Sequence, residues 1–140
     1  MNYARIFLAA LAAFVVYFAL GGLWFAIPAF RAEFSSYPAV YRSQDAMKSV
    51  MPGGMAAMFL SMVVMAVLYA MVYKGGSGLA EGARFGAMIG LFSICAFVLH
   101  NYVNLNIGFR LTALQSVTYM VAWVITGVVI GLIYRPPAAQ

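Results

Sequence analysis

The chain of 140 residues is 66 % hydrophobic and only 8 % charged, which sets it apart from soluble domains. Its eight basic and three acidic residues give a formal charge of +5, but they are scattered, so no basic block supports nucleic-acid binding. The length leaves room for a single domain, residues 1–140, and the lone Cys95 rules out an intrachain disulfide.

Four uncharged apolar runs cover about 6–29, 54–73, 85–103 and 111–134. A bilayer core about 30 Å thick needs about 20 helical residues, so each run is long enough or nearly so. The fold class predicted is an all-α membrane protein, with four transmembrane helices arranged as two helical hairpins.

Span one opens like a signal peptide, with Arg5 ahead of Ile6–Leu20 and a small-residue site at Ala19-Leu20-Gly21. The apolar run continues through Trp24 and Phe25 to Ala29, which favours a retained helix. Ala10, Ala13, Tyr17, Gly21, Trp24 and Pro28 share one side of it. Trp24 reads as an interface anchor, and Pro28 as a kink or a helix end.

The connection Phe30–Gly53 is too long for a bare turn. Tyr37-Pro38 offers a helix start. Beyond it Val40, Ala46, Met47, Val50 and Met51 face one way, while Arg42, Gln44, Asp45, Lys48 and Ser49 face the other. Arg42–Asp45 and Asp45–Lys48 are i,i+3 pairs. This pattern predicts a short interfacial helix over about 38–51, ended by Pro52-Gly53-Gly54.

Span two carries many of the chain's methionines, six of them from Met47 to Met65. Thioethers suit Cu(I), but no Cys or His lies in that region, so the favoured reading is a flexible packing surface. The following Lys74–Glu81 is glycine-rich and expected to be flexible. It lacks the Gly-Lys-Ser/Thr ending of a phosphate-binding loop.

Gly82, Gly86 and Gly90 form a stripe on span three, where small residues permit close helix approach. Regular helical spacing continues that stripe to Phe97, Asn101 and Asn104. Span four has a matching stripe of Thr112, Ser116, Trp123, Gly127 and Gly131. The short link at 104–110 makes these two spans a hairpin, and Arg135-Pro136-Pro137 stops the last helix.

His100, Asn101, Asn104 and Asn106 form the most polar cluster. Such groups near a span end need hydrogen bonds or water. Three readings compete: hydrogen bonding that closes the bundle, which is favoured; a substrate or proton site of a small carrier or channel; and ligation of a metal, haem or chlorin by His100. The cofactor question stays open at this point.

Enzymatic readings fare worse. Glu33, Asp45 and Glu81 all fall in predicted loops, and the chain holds no zinc motif, dinucleotide fingerprint or triad spacing. Orientation is not set by charge. Arg5, Lys74, Arg84 and Arg135 on one side balance Arg31, Arg42, Lys48 and Arg110 on the other. A fixed orientation set by other features and dual topology both remain open.

Gly21-Gly22-Leu23-Trp24-Phe25 closing span one, Glu81-Gly82-Ala83-Arg84-Phe85-Gly86 opening span three, and Gly127 with Gly131 in span four carry a resemblance. The chain resembles small four-helix bacterial integral membrane proteins grouped only as domains of unknown function. The resemblance implies a four-helix bundle in a bacterial membrane, and no activity or catalytic residues. The function expected is therefore a non-catalytic structural or accessory subunit of a membrane complex or homo-oligomer. Its partners would be the lipid bilayer and other membrane subunits or copies of itself. A carrier or channel using His100, Asn101 and Asn104 is the first alternative, and a cofactor-holding subunit of an electron-transfer or photosynthetic complex the second.

Overall fold

The structure is a computed structural model that describes residues 1–134. The expected stop at Arg135-Pro136-Pro137 lies outside the described residues.

Helix α1 spans Tyr3–Ala26, its first turn capped by the Asn2 side chain, which accepts the Arg5 N–H at 3.1 Å. It ends because Pro28 forces the preceding Ile27 into an extended conformation, φ −77° and ψ 116°. Pro28 then starts α2, Pro28–Ser35, where its missing N–H costs nothing. Span one thus stops at Ala26, short of Ala29.

A short helix does stand between spans one and two, but it is α2, not residues 38–51. Residues 37–41 form turns, and Gln44–Met51 opens α3, Gln44–Val72. Ser43 caps α3 by accepting the Ala46 N–H at 3.3 Å, and Lys48 pairs with Asp45 at 2.8 Å. Pro52-Gly53-Gly54 lies inside α3 without ending it. One missing proline bond costs about 3 kcal/mol, whereas a break at the membrane boundary would strand several backbone groups, each costing as much in lipid.

The third long helix comprises α4 (Gly78–Ser93), a π-helical segment (Ile94–Leu99) and α5 (His100–Asn104). It begins well before residue 85. The Glu81 carboxylate accepts the Gly76 N–H at 2.9 Å and the Lys74 N–H at 3.3 Å, and Gly75 turns the chain at φ 86°. The glycine-rich connection is therefore a tethered turn rather than a flexible linker. Helix α6, Phe109–Ile133, is the last helix of the described residues.

Among the described residues, four helices are long and apolar enough to cross a membrane: Tyr3–Ala26, Gln44–Val72, Gly78–Asn104 and Phe109–Ile133. The chain is a multi-pass helical membrane protein. Its helices pack in the order α4, α6, α1, α3, with α6 and α1 in the middle. Ala9, Ala10 and Ala13 of α1 share a buried cluster with Met62, Met65 and Ala66 of α3. Tyr17 stacks on Trp123 at 5.4 Å between ring centroids, linking α1 to α6. At one end Tyr69 meets Phe85 and Tyr134, which draws α3 in toward the α4–α6 pair. Toward the other end α3 diverges, and Gln44–Ala57 is exposed throughout.

Candidate functional site

The glycines of α4 and α6 face one another across an antiparallel seam. Gly78 lies against Gly131, Gly82 against Gly127, and Gly86 against the Trp123 carbonyl. A Cβ on Gly127 would stand 2.7 Å from the Gly86 Cα, closer than real side chains come to backbone. Gly90 differs, because its Cβ would meet the mobile end of Met120, the sulfur at 3.1 Å. Backbone thus packs on backbone, the mode by which helices associate in lipid. Gly78 belongs to the seam too, and reading Lys74–Glu81 as a flexible connection hid it. Of the remaining stripe residues, Thr112 and Ser116 turn their hydroxyls onto their own helix, donating to the Gly108 carbonyl at 3.1 Å and the Thr112 carbonyl at 2.9 Å.

The stripe does not continue as regular spacing predicts. In the segment Ile94–Leu99 the backbone bonds reach one residue further than in an α-helix. The extra residue rotates everything after it by about 100°. Val98 is buried at 3 % exposure, and Phe97 is turned outward at 57 %. Asn101 and Asn104 are likewise exposed, not on the seam.

The polar cluster does not assemble around a cavity. His100, Asn101, Asn104 and Asn106 are all exposed, and the Asn104 amide donates to the His100 carbonyl at 2.8 Å within the helix. Among the described residues, no three of His, Cys, Asp and Glu gather as a set able to hold a metal.

A different polar arrangement occupies the end where α1 finishes and α6 begins. Helix α2 and the turns after it fold back over the start of α6 through three ties. Arg110 Nε meets the Glu33 carboxylate at 3.3 Å, the Gly108 N–H donates to the Tyr37 hydroxyl at 3.0 Å, and the Gln115 amide donates to the Tyr41 hydroxyl at 3.0 Å. Phe30, Phe34 and Tyr41 stack in sequence beneath them. Sequence reasoning missed this cap, because its ties join residues 71 and 74 positions apart and leave no local periodicity.

Beside the cap lies a groove of about 550 Å³. Trp24, Ile27 and Phe30 form one wall, and Leu114, Val117 and Thr118 of α6 the other, with Phe109 and Arg110 at its α6-start end. Trp24 is more than a surface anchor. Its indole nitrogen is buried and has no hydrogen-bond acceptor among the described residues.

No match was found among curated proteins or among solved structures. The family described as "Protein of unknown function (DUF1761)" matches residues 8–131. That match takes in all four long helices, the glycine seam and the cap, and the chain belongs to this family.

Proposed function

We propose that this protein is a non-catalytic subunit of a larger assembly in the bacterial inner membrane, built from copies of itself or with other membrane chains. The observation that carries this reading is the unpartnered first half of α3. Met47, Val50 and Met51 follow one another at helical spacing, and each is 38–46 % exposed. Gly53 and Gly54 continue the same stretch with nothing within reach of an added Cβ. The glycines of the α4–α6 seam each receive a neighbouring backbone or side chain, so the small residues of α3 stand ready for a helix from another chain. The polar groups also favour a non-catalytic role, since those of the cap are engaged in holding the fold.

The test is gentle detergent extraction followed by native mass measurement, together with cross-linking from single cysteines in a Cys95→Ser background. A mass above one chain, with cross-links at Met51→Cys but not at the buried α6 position Thr126→Cys, is the expected result. A protein that stays monomeric and forms no cross-link from α3 would sink the proposal. An absorption spectrum of the same sample examines His100. The expected spectrum is unchanged in His100→Gln, and a visible band lost in that variant would favour a cofactor-holding subunit instead.

A further inference from the structure

We infer that the groove between the α1 end, α2 and the start of α6 is a binding site for one anionic glycerophospholipid. Three observations converge on that occupant. The walls are apolar, from Ile27 and Phe30 on one side to Leu114 and Val117 on the other, and suit an acyl chain. The volume of about 550 Å³ lies in the range of pockets that hold small molecules.

Charge complementarity chooses the headgroup. Arg110 sits at the α6-start end of the groove with its side chain 75 % exposed, and Glu33 engages it at Nε. A guanidinium this exposed can still present donors to a phosphate. Arg31 follows Phe30 in α2 and has no salt-bridge partner among the described residues. With Glu33 spent on Arg110 and Asp45 on Lys48, this end of the molecule keeps an excess of positive charge.

The third observation is the orphaned indole of Trp24. A buried N–H without an acceptor costs about 1–3 kcal/mol. Trp24 lines the groove, and its nitrogen finds no partner among the described residues. A glycerol-ester carbonyl, which lies between headgroup phosphate and acyl chain, is the acceptor a phospholipid would bring. Arg110 to Val117 covers about 10 Å along α6, so a phosphate held at the arginine leaves the acyl chain to run along the apolar wall.

The experiment reconstitutes the full chain in vesicles of equimolar phosphatidylglycerol and phosphatidylcholine. It is then extracted mildly, and the lipid retained per chain is identified by native mass spectrometry. The wild type should retain phosphatidylglycerol in preference. Arg110→Gln should lower that preference about tenfold, the factor carried by one lost charge-assisted contact. Leu114→Trp, which fills the groove, should lower retention of both lipids, and Arg84→Gln at the far end should change nothing. Glu33→Gln breaks the same ion pair but keeps the guanidinium, so it should retain the preference. If Glu33→Gln loses it as fully as Arg110→Gln, the arginine acts only by holding α2 and the proposal falls. Equal retention of the two lipids by the wild type, or unchanged retention in Leu114→Trp, overturns it as well.

Discussion

The carbonyl oxygen of Gly127 occupies the place a side chain on Gly82 would need, and the relation is reciprocal, with the Gly82 carbonyl where a Cβ on Gly127 would go. The two helices meet here at backbone distance, in a register that pairs Gly78 with Gly131 and Gly86 with Trp123.

Gly82→Ala and Gly127→Ala should therefore each destabilise the protein by about 1–3 kcal/mol, the usual range for an overpacked site. Gly90→Ala should be milder, since the Met120 thioether can swing aside. Gly21→Ala, with open space around it, should be neutral or stabilising by up to about 1 kcal/mol. Thermal unfolding in detergent measures the series. Equal effects at all four positions would remove the close-approach argument.

The π-helical segment makes a prediction of opposite sign from that of a regular helix. In a Cys95→Ser background, Phe97→Cys should react faster than Val98→Cys with a lipid-permeant maleimide, in line with their exposures of 57 % and 3 %. Deleting residue 95 removes the extra residue and sets Val98 seven residues after Gly90 in a regular helix, so the same order should persist. Equal labelling of the two positions in the full-length chain would contradict the register shift.

The cap over α6 should depend on hydroxyls more than on its ion pair. Tyr37→Phe takes away the acceptor of the Gly108 N–H, which should cost about 1 kcal/mol and speed hydrogen exchange at that amide. Glu33→Gln breaks a pair whose arginine is largely exposed, and such pairs contribute about 0–1 kcal/mol. Hydrogen exchange of Gly108 and thermal unfolding of both variants would check the ranking. A larger loss in Glu33→Gln would reverse the assignment.

Four apolar runs, each long enough for the bilayer, determined by themselves that the chain crosses the membrane as helices, because lipid leaves unpaired backbone no other solution. The spacing of Gly82, Gly86 and Gly90, and of Gly127 and Gly131, likewise marked the seam, since contact between straight helices follows the helical period. Local periodicity could go no further. The rotation that puts Val98 in place of Phe97 comes from one inserted residue in the backbone, and no side-chain pattern announces it. The cap, the ion pair of Glu33 with Arg110 and the groove beside Trp24 join segments far apart in the chain. Only the tertiary structure could decide them, because they depend on which helix ends lie side by side, and near-neighbour chemistry does not encode that.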